Sequence, residues 1–178
     1  MSPPAQPAPT PAGDEDGASP RELLLEAARR DNTDLLNEVL EKIQHNAEIL
    51  NSAADALGNT TLHVATQYGS YDVLDTLLDC SGLEVDPTNT LDRDTPLHKA
   101  VYLCREDRNL GHAIVDLLLD AGADPRIRNR QKMRPIDVAD QNDTELRNML
   151  RQAEYKVEMG DDVVQEDEQD GGSGSESD

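Results

Sequence analysis

The 178-residue sequence predicts an all-α fold, a solenoid of about four stacked helix-turn-helix repeats joined by short turn tips. Three observations predict it. The stretch Thr60-Thr61-Leu62-His63-Val64-Ala65 recurs thirty-five positions later as Thr95-Pro96-Leu97-His98-Lys99-Ala100. Each copy is followed by an apolar run ending in paired leucines, Leu77-Leu78 and Leu118-Leu119. The apolar residues, 36% of the chain, are clustered Leu and Ala with no Phe or Trp, a composition that favours helices. A two-helix unit cannot bury its apolar face alone, so copies of it must stack.

Taken in order, residues 1–19 are dominated by Pro, Ala, Gly and Asp and offer no periodic apolar face, so disorder is expected there. The first unit, about 20–54, opens with a capping box: Ser19 at the N-cap, Pro20 at the first helical position and Glu22 at N3. Leu24-Leu25-Glu26-Ala27-Ala28, then Leu35-Leu36 and Val39-Leu40, supply its two apolar faces. Units of about 55–89 and 90–128 contain the two histidine motifs, and Gly122 after "LLLDA" is placed to end a helix in the left-handed conformation. The fourth unit, about 129–157, is degenerate, with Asp137 at the histidine's place in Arg134-Pro135-Ile136-Asp137-Val138-Ala139. Its closing segment "TELRNMLRQAEYKV" is expected to turn Arg147, Arg151, Gln152 and Glu154 outward as a polar cap. Residues 158–178 are acidic and then Gly/Ser-rich, again without a core to bury.

The formal net charge is −21, and more than half of it sits at the ends. From Glu158 onward there are nine acidic residues and no Lys or Arg, while Asp14, Glu15 and Asp16 add three more. An acidic domain repels phosphates, which argues against direct nucleic-acid binding. No apolar run reaches membrane-spanning length and no secretory signal pattern is seen, so a membrane role is not expected. Cys80 and Cys104 make no disulfide framework, which suits a reducing compartment, cytoplasmic or nuclear. Zinc would want Cys and His in tight pairs, whereas Cys80, His98, Cys104 and His112 are scattered. Cys104 lies beside Arg105 and Arg108, which would lower its pKa, but no general base accompanies it. Phosphate-binding glycine loops are missing as well. No catalytic residue, metal or cofactor is expected.

These motifs, above all "TPLHKA" and "IVDLLLDAGADP", resemble the ankyrin repeat, a unit of about 33 residues with a Thr-Pro-Leu-His-x-Ala signature. The resemblance covers roughly residues 20–153. Departures are visible: Thr61 stands where the signature has Pro, and Arg93 where a loop Gly is usual. About two extra residues fall in "SGLEVDPTN" and about six in "YLCREDRNL". In the family's frame His63 and His98 begin the first helix of their units, where the ring bonds backbone and holds adjacent repeats in register.

The resemblance implies a non-enzymatic protein-binding module whose contacts lie on the turn tips and the exposed ends of the first helices. Carried over, those positions are Ala56, Leu57, Asn59, Gln67 and Tyr68 in one unit, and Leu91, Asp92, Asp94, Tyr102 and Leu103 in the next. The tyrosines read either as interface anchors or as packing against neighbouring repeats. "RIRNRQKMR" concentrates Arg126, Arg128, Arg130, Lys132 and Arg134 in one turn. That turn is either a solvated tip or a contact patch, centred on Arg128 and Arg130, for an acidic partner or for the chain's own tail. A fainter resemblance, resting on the short array, "ADPRIRN" and the acidic tail, runs to small yeast ankyrin proteins that escort a basic ribosomal protein. A monomeric escort for a basic protein partner is therefore one expectation. The alternative is a regulator docking on a folded enzyme through the concave face.

Overall fold

The computed structural model describes residues 17–160. The expected disorder of residues 1–16 and 161–178 lies outside the described residues. Helix α1 (Pro20–Arg30) starts as the sequence demands: the Ser19 hydroxyl accepts from the Glu22 amide and the Glu22 carboxylate accepts from the Ser19 amide. It pairs with α2 (Thr33–Lys42), whose cap is Asn32. A short helix that the sequence reading did not foresee, α3 (Ala47–Ser52), follows under an Asn46 cap and buries Leu50. Then come α4 (Thr61–Tyr68) with α5 (Tyr71–Leu78), and α6 (Pro96–Leu103) with α7 (Arg108–Asp120). The last pair is α8 (Pro135–Val138) with α9 (Thr144–Met159). Among the described residues there is no β-strand, only an isolated bridge between Ala54 and Thr60.

The helices form two rows. The first helices α1, α4, α6 and α8 pack in sequence on one side, and α2, α5, α7 and α9 follow each other on the other. Ala27, Ala28, Ala65 and Ala100 are fully buried along the first row, where a small side chain lets helix backbones approach. Leu24, Leu36, Leu62, Leu74, Leu97, Ile114, Leu118 and Leu146 fill the space between the rows. Each such leucine contributes about 1.5–3 kcal/mol by leaving water.

The inserted residues near "YLCREDRNL" make a turn at Cys104–Asp107 and an additional N-terminal turn of α7, capped by Asp107. The degenerate unit is cut short: α8 is one turn long, because Ala139 adopts an extended conformation ahead of the turn-forming Asp140 and Asn142. Helix α9 runs through Met159, two residues beyond the boundary drawn from the sequence. Its expected outer face is only half right. Arg151 and Gln152 are exposed, but Arg147 turns back to donate to the Ile136 carbonyl (3.0 Å), and Glu154 accepts from Arg134 (3.1 Å). Both side chains tie α9 to the short α8 unit, which has little apolar area of its own.

Thr61 marks a defect in the stack. It occupies the first position of α4, where α6 and α8 carry Pro96 and Pro135. Its buried hydroxyl has no hydrogen-bond partner among the described residues. The preceding Thr60 already has φ −72° and ψ 173°, a conformation that a following proline favours. Thr61→Pro should therefore stabilise the domain by about 1 kcal/mol, by restricting the unfolded chain and removing an unsatisfied buried hydroxyl. A melting temperature equal to or below that of the wild type would contradict this.

Candidate functional site

The three turn tips are built alike. Asp55, Asn89 and Asn129 open them, and each residue's amide donates to the carbonyl that closes its loop, on Asn59, Asp94 and Met133 respectively. Each opening side chain also accepts two backbone amides: Asp55 from Leu57 and Asn59, Asn89 from Asp92 and Asp94, Asn129 from Gln131 and Met133. These are Asx turns. Five residues before the histidine or its Asp137 equivalent, all three tips need a positive φ: 77° at Gly58, 55° at Arg93 and 63° at Lys132. Arg93 and Lys132 thus hold a glycine-like conformation at some cost in backbone strain.

A buried polar ladder joins the tips. Asn59 donates to Asp55, Asn89 donates to the Asn59 side-chain oxygen (2.9 Å), and Asn129 donates to the Asp94 carboxylate (3.0 Å). The histidines run parallel to it. In each, Nδ1 accepts the amide of the capping threonine, Thr60 at 3.1 Å or Thr95 at 3.2 Å. Because Nδ1 accepts, the ring carries its proton on Nε2 and donates it to the next tip: His63 to the Asp94 carbonyl (2.7 Å) and His98 to the Met133 carbonyl (2.9 Å). Both rings are fully buried. Burial, foremost, drives the His63 pKa down to about 4, and His98 is lowered for the same reason. In the last unit Asp137 takes the ring's capping role, accepting the Arg134 amide at 2.9 Å.

This arrangement corrects three of the expected contact residues. Asn59 and Asp94 are buried rungs of the ladder, and Leu103 packs into the core. Neither Asn59 nor Asp94 turns its side chain to solvent. A linear sequence does not tell a polar tip residue facing water from one facing the next tip. What remains exposed is largely apolar: Leu57 (48%) and Leu91 (53%) on the tips and Tyr68 (56%) at the end of α4, with exposed Ala56 and Gln67. Thr90 locks the first two tips together by donating its amide and hydroxyl to the Leu57 carbonyl at 3.0 and 2.7 Å. Asp92 is half-buried, and its carbonyl accepts the Arg130 amide. Tyr102 is half-buried, with Arg105 stacked 5.7 Å over its ring, so this tyrosine belongs partly to the packing. Gln67, Lys99, Tyr102, Leu103 and Glu106 line a shallow groove of about 220 Å³ between the ends of α4 and α6.

The basic third tip is partly neutralised. Arg126 pairs with Asp124 at 2.9 Å, and Arg134 pairs with Asp137 and Glu154. Among the described residues, Arg128 and Arg130 bond only backbone carbonyls, of Lys132 and Thr90. The outer face of the second helices is the opposite in sign: Asp34, Glu38, Glu41, Asp72, Asp75, Asp116 and Asp120 are all exposed along α2, α5 and α7.

Similarity to known proteins fits this architecture. The family model for ankyrin repeats matches three copies over residues 24–129. The chain belongs to the ankyrin-repeat family. The ankyrin repeat-containing protein YGL242C of Saccharomyces cerevisiae is 41% identical over 149 residues, covering 80% of this chain and 82% of that protein. The ankyrin repeat protein FPV031 of Fowlpox virus is 33% identical over 107 residues, covering 58% of this chain and 29% of the viral protein. Ankyrin repeats make protein–protein interaction modules.

Cys104 does not have the lowered pKa that its arginine neighbours in sequence suggest. Its sulfur is buried and donates to the Ala100 carbonyl (3.3 Å); burial first, and Asp143 second, push the thiol up to about 12. Arg108 instead pairs with Asp143 (3.0 Å), which also binds His112 (2.7 Å), and Arg105 donates to the Val138 carbonyl. A thiol held protonated at neutral pH is a poor nucleophile. Among the described residues no group of three or more His, Cys, Asp or Glu could hold a metal, and no helix is long and apolar enough to cross a membrane.

Proposed function

We propose that this protein is a monomeric, non-enzymatic escort of a basic protein in the cytoplasm or nucleus, gripping it through the turn tips. The single observation that carries the reading is the pair of exposed leucines, Leu57 and Leu91, on hydrogen-bonded neighbouring tips. Exposed apolar side chains on a rigid support are suited to anchor an interface. The cationic character of the partner is inferred from the acidic outer helices and from the acidic C-terminal segment, whose density of charge would speed encounter with a cation.

The apolar nature of the anchors favours a second reading. A regulator that docks on a folded enzyme would use the same tips with no need for the acidic segment. The two readings separate in kinetics. A photocrosslinking residue at position 57 or 91 identifies the partner, and binding is then measured with that partner purified. Leu57→Ser with Leu91→Ser should speed dissociation at least tenfold while leaving the melting temperature within about 2 °C, because about half of each residue is already exposed in the free domain. Replacing the acidic residues of 161–178 by Asn or Gln should slow association and flatten its salt dependence if the partner is basic. An unchanged association rate and salt slope would favour the enzyme-docking regulator. Unchanged dissociation of the leucine variant would remove the tips from either reading.

A further inference from the structure

The third tip stands apart from the other two in charge. Where the first tip shows Ala56 and Leu57 and the second Leu91 and Asp92, this one shows Arg128, Arg130 and Lys132 within five residues, all exposed. None of the three meets a carboxylate among the described residues. Their backbone is fixed nevertheless: Asn129 is buried and bonded to Asp94, and the Arg130 amide and guanidinium bond the Asp92 and Thr90 carbonyls. The result is a rigid cluster of cations in a protein of net charge −21.

The end of α9 lies beside this tip. Glu154 reaches Arg134 at 3.1 Å, and the charges of Glu154 and Glu158 act on both Arg126 and Arg134, raising their pKa after the larger contribution of their own aspartates. Gly160 ends the helix with φ +73°, a conformation that turns the chain out of the helical path. Residues 161–178 follow, with eight carboxylates and no Lys or Arg. Eighteen residues extend up to about 60 Å, at about 3.3–3.6 Å each, so reaching the tip imposes no strain. A short tether also gives an effective concentration of the order of millimolar, at which several weak ion pairs suffice for occupancy.

We propose that the tip formed by Arg128, Arg130 and Lys132 is the docking site of the chain's own acidic segment, residues 161–178. The contact is an internal competitor. A basic partner must draw the segment off the tip, and an acidic partner must displace it, so ill-matched partners of either sign meet a barrier that a well-matched one overcomes. The contact is a property of the isolated protein, and its failure would leave the escort reading where it stands.

The test uses the full chain without any partner. Backbone amide resonances of residues 126–134 are compared between the wild type and a variant whose acidic residues after Gly160 are replaced by Asn or Gln. The proposal expects these amides to differ at about 50 mM salt and to converge at about 500 mM, as screening shortens the reach of charge. In the background Arg128→Gln, Arg130→Gln, Lys132→Gln the difference should vanish, whereas in Arg128→Lys, Arg130→Lys it should persist. The lysine pair keeps the charge while losing the guanidinium bonds, so it separates docking from a mere change in turn geometry. Identical amides in the first comparison, differences centred elsewhere, or differences that survive the glutamine background would each overturn the proposal.

Discussion

Gly111→Ala is expected to destabilise the domain by about 1–2 kcal/mol, although alanine is the better helix former. Gly111 lies in the additional turn of α7, and a Cβ built on it would meet Cys104: the sulfur at 2.6 Å, and the Cα and backbone nitrogen at 2.7 Å. Ordinary contacts need nearly an ångström more. A flexible side-chain tip could move away, but the Cys104 backbone is held by its bond to the Ala100 carbonyl at 3.2 Å. The strain therefore falls on the packing of α7 against α6, where Val101, Ile114 and Val115 are buried. Overpacking against a rigid wall costs about 1–3 kcal/mol and sometimes more. The propensity of alanine returns about 1 kcal/mol. Ala113→Gly, at an exposed site in the same helix, calibrates that return and should cost about 1 kcal/mol. Urea unfolding followed by circular dichroism gives both values. A Gly111→Ala protein at least as stable as the wild type would mean that the two helices do not approach this closely.

Gly111 also shows where reading the sequence stopped. The stretch around "YLCREDRNL" registered as an insertion relative to the repeat, and nothing in its order said that it would lengthen α7 and press a glycine against α6. An isolated glycine inside a helical pattern was the available signal. The repeat frame itself was legible because its causes are local. Thr95, Pro96 and His98 cap a helix within four residues, and Ala100 must be small where helices touch. The tips were harder, because their bonds connect residues thirty or more positions apart, as Asn89 to Asn59 and Asn129 to Asp94. Hence Asn59 and Asp94 looked like surface contacts, although Asp55, Asn89 and Asn129 standing alike before each tip could have suggested a structural role. Leu57 and Leu91 were readable as exposed from their place on the tips of the family's frame, whereas Tyr68 stayed open between anchoring and packing until its exposure was seen. The Cys104 thiol was misjudged from its arginine neighbours in sequence, since its pKa follows from burial and from where those guanidinium groups turn.

His63→Ala should cost about 3 kcal/mol, and the loss should grow smaller in acid. The ring fills buried volume between the α4 cap and the second tip, and its removal strands the Thr60 amide and takes from the Asp94 carbonyl one of its two donors, leaving the Asn89 amide. Each unpaired buried group costs about 1–3 kcal/mol. His98→Ala, at the corresponding joint with Met133, should cost about 1–3 kcal/mol for the same reason. The pH dependence follows from the ring's two bonds. Nδ1 accepts an amide proton, so a proton added there breaks the cap, and burial holds the folded pKa at about 4 against 6.5 for a free ring. The unfolded chain thus takes up the proton first. Stability from His63 is complete above about pH 6.5 and is lost as pH falls through 4, with about 2 kcal/mol gone by pH 5. Asp86 works in the other direction, because burial raises its carboxyl to about 6 and the folded form gains a proton in the same range. Wild type and His63→Ala both carry Asp86, so the difference between their unfolding free energies at pH 7 and at pH 5 isolates the histidine. That difference should shrink by about 2 kcal/mol, through loss of the wild type's advantage. A difference that stays constant would mean that the ring is not held neutral by this joint, and His63 would then be only a space-filling residue.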